Sequence, residues 1–168
     1  MSYLVGFVLL GSALMLQTSV FSHLRLLQGT TDLVLLTLLA WVLQPRLPRA
    51  WIWPLVAGGL VGWVSALPWP AALLAYLLAG GLALFLRQHL WQTSLGLYLF
   101  LVPVGTTLVL GLTWATLWTQ GVTIPWREAF TAVLLPSALL NVLVALPVHS
   151  LVAEAAAWAL PAAEEEAA

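Results

Sequence analysis

Cysteine and lysine are both absent from these 168 residues, and charge of either sign is scarce. Without cysteine there can be no disulfide, no thiolate nucleophile and no Cys-based metal centre. Charged residues make up 7% of the chain, against about 25% in an ordinary soluble domain. Five arginines and six acids cannot cover the outside of a water-soluble protein of this length. The arginines are scattered singly and the formal net charge is −1, so no electrostatic footprint for nucleic acid exists. Asp32 is the only aspartate, which excludes an intramembrane aspartyl pair. His23, His89 and His149 are far apart and have no acidic neighbours, a poor basis for a metal site or a Ser–His dyad. The expectation is a non-enzymatic chain with no cofactor and no metal.

What is present is apolar residue, 62% of the total, arranged in long runs. Crossing ~30 Å of hydrocarbon takes ~20 helical residues, and a backbone in lipid must satisfy its own hydrogen bonds. The runs predict an all-α integral membrane protein, a single compact bundle of about six transmembrane helices at 3–22, 31–44, 51–67, 71–86, 91–120 and 127–147. A near-interface tail follows over 148–168 and ends on Glu164, Glu165 and Glu166. The first run has neither a basic leader nor a convincing cleavage site and is expected to be retained as a span. The second, at ~21 Å, is short for a crossing and is expected to be little tilted, partly buried or re-entrant. Thr30 and Thr31 can cap its exposed N–H groups, Asp32 complements the positive end of its dipole, and Pro45 and Pro48 stop it. Pro68-Trp69-Pro70 reads as a tight turn between the third and fourth runs, and Pro103 as a kink in the fifth.

Orientation rests on arginine. With the N-terminus in the cytoplasm, Arg46, Arg49 and Arg87 fall inside while Arg25 and Arg127 fall outside, a bias that predicts cytoplasmic termini. Trp51, Trp53, Trp69, Trp91, Trp118 and Trp126 lie near segment ends, where indoles favour the headgroup zone.

Helices in lipid associate through close backbone approach, which small residues four apart permit. Gly58, Gly62 and Ala66 line one face of the third segment; Ala71, Ala75, Ala79 and Ala83 line one of the fourth; Thr107, Gly111, Ala115 and Thr119 line one of the fifth. Each stripe serves either internal packing or a partner's helix. Among polar residues, Gln17, Thr18 and Ser19 suit either headgroup depth or a contact inside the bundle. Ser137 and Asn141 share a face of the sixth segment, and Asn141 lies deep enough to need a partner on another helix, as structural glue or as a ligand contact.

Two stretches, LQTSVFSHLRLLQGTTDLVLLTLLAW at 16–41 and LLPSALLNVLVALPVHSLV at 134–152, together resemble the rod shape-determining protein MreD family. The resemblance rests on the order of Gln17, Gly29, Asp32, Pro136 and Asn141, with GGLVGWVSALPWPAALLAYLLAGGLALFLR occupying the place of the family's Gly-rich third and fourth spans. Thr31 stands where the family usually has proline, and Ser65 stands near a position where many relatives carry an acid, so no role for that acid carries over. The resemblance implies a component of the bacterial cytoplasmic membrane that partners the transmembrane helix of MreC. It also implies a scaffold linking the MreB cytoskeleton, indirectly, to RodA and its class B penicillin-binding transpeptidase in peptidoglycan synthesis. It further implies a fold like the substrate-capture subunits of energy-coupling-factor transporters, which supplies the alternative function of capturing a vitamin-type small molecule. On either reading the candidate packing and partner residues are Gln17, Asp32, Gly58, Gly62, Ala79, Gly111, Pro136 and Asn141.

Overall fold

The computed structural model describes residues 2–21, 29–66, 68–89 and 95–160. The expectations for His23, Arg25 and Trp91 and for the acidic tail lie outside these residues. The regular elements are helices: α1 Ser2–Leu16, prolonged by a π-helical turn at Gln17–Phe21, α2 Leu33–Val42, α3 Ile52–Val64, α4 Trp69–His89 and α5 Leu95–Thr119. The last, α6, runs Trp126–Ala159 and is π-helical over Ala129–Leu134. Four of these, α1, α4, α5 and α6, are long and apolar enough to cross a membrane. The outer surface carries Leu4, Phe7, Met15, Trp63, Leu143 and Trp158, each more than half exposed, a covering that suits hydrocarbon and not water.

The core is built around α2. All ten of its residues are buried, and it packs against each of the other five helices. At a rise of ~1.5 Å per residue it is about 15 Å long, shorter than the run at 31–44 suggested. Its cap is Asp32, whose carboxylate reaches the Leu35 N–H, and not Thr30 or Thr31 as expected; Thr31 and Asp32 precede the first turn, and the chain leaves helical hydrogen bonding after Leu43. Its C-terminal end is closed from outside. The Arg87 guanidinium, on α4, donates to the Val42 carbonyl at 2.8 Å and to the Pro45 carbonyl at 2.9 Å, satisfying acceptors that the helix end leaves open.

Small residues decide which helices touch. A Cβ on Gly58 would lie 2.9 Å from the Leu73 Cα, and one on Gly62 would lie 2.5 Å from the Trp69 ring, so α3 and α4 are as close as glycine allows. One on Gly80 would overlap Pro54. Ala72, Ala75, Ala79 and Ala83 are buried on the same seam or beneath it. Ala66 is exposed beyond the end of α3. On α1, Gly6 admits the Trp53 ring, which meets Trp41 edge to face at 5.8 Å.

Two proline expectations are corrected. Trp69 and Pro70 do not form a turn; they start α4, because a proline in the first helical turn has no N–H to lose. Pro147 does not end the sixth span. The helix continues to Ala159 with Val152, Ala156 and Ala159 buried, and this packing outweighs the one hydrogen bond that the ring removes. Residues 148–160 are thus part of the bundle, and His149 lies against Tyr98 with ring centroids 5.0 Å apart.

Candidate functional site

A helix buried on all sides still has unpaired N–H groups in its first turn, and these need acceptors. At the start of α2, and in the residues that lead into it, the acceptors are four side chains from three elements. Asp32 caps its own helix, with Oδ1 accepting from the Leu35 N–H at 3.0 Å. Gln17, in the π-helical turn after α1, accepts from the Val34 N–H through Oε1 at 3.1 Å. Asn141, on α6, accepts from the Asp32 N–H through Oδ1 at 2.9 Å. One turn earlier on α6, the Ser137 hydroxyl accepts from the Thr30 N–H at 3.0 Å. The four-residue spacing of Ser137 and Asn141 matches one helical turn, so a single face of α6 runs along the extended residues that lead into α2.

Further hydrogen bonds join the junction to α4 and α5. Asn141 donates from Nδ2 to the Thr106 hydroxyl on α5 at 2.8 Å, and Thr106 donates in turn to the Val102 carbonyl at 2.8 Å. The Tyr76 hydroxyl, on α4, reaches the Asp32 carboxylate at 2.6 Å and 2.8 Å. The positive end of the α2 dipole and the Tyr76 hydroxyl thus face the carboxylate where a counter-ion would otherwise stand. Asn141, Ser137 and Thr106 are buried, whereas Asp32 and Gln17 are half-buried.

Backbone proximity makes this junction possible. A Cβ on Gly29 would lie 2.6 Å from the Pro136 Cβ and 2.8 Å from the Ser137 nitrogen, so any larger residue would force the segment before α2 away from α6. The π-helical stretch Ala129–Leu134 ends two residues before Pro136, where the missing proline N–H would interrupt a regular α-helical ladder.

The junction borders a cavity of about 350 Å³, lined by the polar groups of Gln17, Thr31, Asp32, Ser65, Ser137 and Asn141 and walled by Leu14, Val61 and Leu110. Its volume is in the range of a small-molecule pocket. Its chemistry is recognition by hydrogen bond, with a carboxylate, amides and hydroxyls at one wall. Among the described residues no three His, Asp or Glu side chains gather as a metal site.

Of the candidate residues, Gln17, Asp32, Pro136 and Asn141 meet at this junction. Gly58, Gly62 and Ala79 lie in the bundle interior around the α3–α4 seam. Gly111 belongs to neither group. It is exposed on α5, where an added Cβ would meet no atom within 4 Å, and Thr107, Ala115 and Thr119 of the same stripe are exposed with it. Beside it runs an apolar groove of about 280 Å³, bounded by Leu110, Trp114, Trp126, Phe130 and Leu134. Sequence reasoning missed Tyr76 and Thr106. A tyrosine in the middle of an Ala- and Leu-rich helix was the available signal, because its hydroxyl needs a buried partner.

Compared with known proteins, the chain matches no family model, no curated sequence and no solved structure.

Proposed function

We propose that the chain is a non-enzymatic, multi-pass scaffold of the bacterial cytoplasmic membrane, acting in cell elongation as proteins of the MreD family do. In this role it partners MreC and, through it, the RodA and transpeptidase complex and the MreB cytoskeleton. One observation carries the reading. The residues on which the resemblance rests come from stretches more than 100 residues apart, as the pairing of Asp32 with Asn141 illustrates, yet they form one hydrogen-bonded junction. Gln17 holds Val34, Gly29 lies on Pro136 and Asp32 holds Asn141. A chance likeness between Leu-rich helices gives no reason for these particular residues to meet.

The partner's helix is assigned to α5. Association in lipid depends on van der Waals contact at small residues, and Thr107, Gly111, Ala115 and Thr119 form the small-residue stripe that the bundle leaves exposed. Gly62 and Ala79 are internal, so bulk there acts on folding. With the termini in the cytoplasm, the Asp32 junction lies toward the outer face and Arg87 toward the inner one. Copurification with co-expressed MreC tests the assignment. Gly111→Leu and Ala115→Leu are each expected to leave expression and melting unchanged, and at least one to abolish MreC recovery. Undiminished recovery with both would remove α5 from the interface, and no recovery with the wild-type chain would remove the function.

The cavity beside Asp32 favours a second reading, the vitamin-type capture subunit. Against it, the face of α1 bearing Ala13 and Gln17 is turned into the bundle and is not free for an energising module. Vitamin uptake by liposomes carrying the chain with a purified energising module would support this alternative, and absence of uptake would count against it.

A further inference from the structure

The opposite end of the bundle carries a second polar feature, on which the junction at Asp32 has no bearing. The connection from α2 to α3 is a run of tight turns from Leu43 to Trp51. Leu47 and Ala50 are turned inward and buried, while Arg46 and Arg49 are exposed. This alternation is held at a cost. Arg49 has φ 48°, the left-handed region that non-glycine residues rarely adopt. Beside the connection, on α4, stands Arg87, whose two terminal nitrogens bind the Val42 and Pro45 carbonyls. Those carbonyls are neutral, so the guanidinium keeps its full charge and its remaining N–H groups. Among the described residues no carboxylate forms an ion pair with Arg46, Arg49 or Arg87. Three of the chain's five arginines therefore collect at one end without an ion pair among the described residues.

A cavity lies beside Arg87 and the connection, with Arg46 and Arg49 next in sequence to residues of its lining. It has a volume of about 310 Å³ and is bounded by Leu47, Ala50, Trp51, Leu84, Arg87 and Gln88. Leu47, Ala50 and Leu84 supply its aliphatic lining, Arg87 is the one cation in it, and the Trp51 indole, 61% exposed, stands at the rim. A ligand complementary to this arrangement has an anionic head beside an apolar body. Free phosphate lacks the body and a fatty acyl chain lacks the dispersed phosphodiester charge. We propose that the connection 43–51 together with Arg87 and Trp51 is a binding site for the phosphodiester headgroup of an anionic phospholipid. The phosphate sits against Arg87 and the exposed Arg46 and Arg49, and the glycerol and upper acyl carbons lie along Leu47 and Leu84. Basic pockets between helices are where such headgroups are held, and the indole at the rim matches the headgroup depth that tryptophan favours. The left-handed residue has a purpose on this reading, since it keeps two arginines outward while both flanking apolar residues anchor the turn. The site is independent of the MreC assignment.

Native mass spectrometry of the full chain, released from mixed micelles of equal phosphatidylglycerol and phosphatidylcholine, reads the site directly. The wild-type chain is expected to retain one phosphatidylglycerol in clear excess over phosphatidylcholine. Each basic residue near the surface contributes a factor of about five to anionic-lipid association, so Arg46→Ala with Arg49→Ala should lower that preference at least about fivefold. Arg87→Gln should lower it too, but it also uncaps α2, so the exposed Arg46 and Arg49 pair carries the decision. Equal retention of the two lipids by the wild-type chain, or an unchanged preference in the double variant, overturns the proposal. Displacement of the bound lipid by millimolar inorganic phosphate would also overturn it, because that site would recognise the anion alone.

Discussion

Asn141→Leu removes a side chain that is 0% exposed and makes two hydrogen bonds to two different elements. The two losses are unequal. Thr106 keeps its bond to the Val102 carbonyl, so it loses an incoming donor and is not left bare. The Asp32 N–H has no second acceptor, and a buried unsatisfied group costs about 1–3 kcal/mol. Hydrogen bonds between helices in lipid contribute about 0.6 kcal/mol on average. Leucine nearly matches asparagine in length and fills the space, so a cavity term should be small. The expected destabilisation is therefore about 1–3 kcal/mol, most of it from the Asp32 N–H. The control is Leu139→Ala, on the same helix but 66% exposed, which should cost under about 0.5 kcal/mol. Equilibrium unfolding of the purified chain in mixed detergent micelles, followed by circular dichroism, measures both. A double-mutant cycle with Thr106→Val should return a coupling of about 0.6 kcal/mol for the Asn141–Thr106 contact. If Asn141→Leu is no more harmful than Leu139→Ala, the hydrogen-bonded junction does not hold α2 and the reasoning fails.

Three further outcomes are expected. Gly29→Ala should cost about 1–3 kcal/mol by overpacking against Pro136, whereas Gly111→Ala, with open space around it, should be neutral or stabilising by up to about 1 kcal/mol; equal effects in the same unfolding assay would contradict the placement of both. Arg87→Met should lower stability by about 1–3 kcal/mol because two carbonyls at the end of α2 lose a charged donor, and Arg87→Lys should restore only part of it, since an ammonium lacks the planar fork. For orientation, Gln120→Cys, introduced into a chain with no other cysteine, should be labelled by an impermeant thiol reagent in intact cells and Arg49→Cys should not; the reverse pattern would invert the bundle.

The parts of this arrangement that could be read in the sequence are those governed by local chemistry. Asp32 announces a helix start because an acid there suits the dipole, but three candidate caps in a row, Thr30, Thr31 and Asp32, differ only in register, and the one used is Asp32. Asn141 announces an interhelical partner because an amide at depth cannot stay unpaired. The identity of the partner is not local, and neither Thr106 nor the Asp32 N–H could be chosen from sequence. Gln17 suits two depths equally well until the chain's return at Val34 places an N–H beside it. The small-residue stripes illustrate the same limit. Their four-residue spacing is identical on α3, α4 and α5, yet α3 and α4 use theirs on each other and on α2 while α5 keeps its own outside. Spacing reports that a close approach is possible and says nothing of what approaches. The prolines mislead because their local effect is real but small beside the burial of Val152, Ala156 and Ala159.

The closure of α2 at both ends has a consequence for the order in which the molecule is made. At about 15 Å this helix is too short to be stitched into a bilayer by length alone, and its partners emerge from the ribosome at different times. Gln17 is already present when α2 is synthesised; Tyr76 and Arg87 follow some 45 residues later. Thr106 and then Ser137 and Asn141 arrive last, the latter more than 100 residues after the backbone they bind. During translation the Thr30 and Asp32 N–H groups at the entry to α2 wait for their acceptors, and the final helix acts as the latch. A nascent chain stalled before Ser137 is accordingly expected to remain open to membrane proteases, and one released beyond Ala159 to be closed to them.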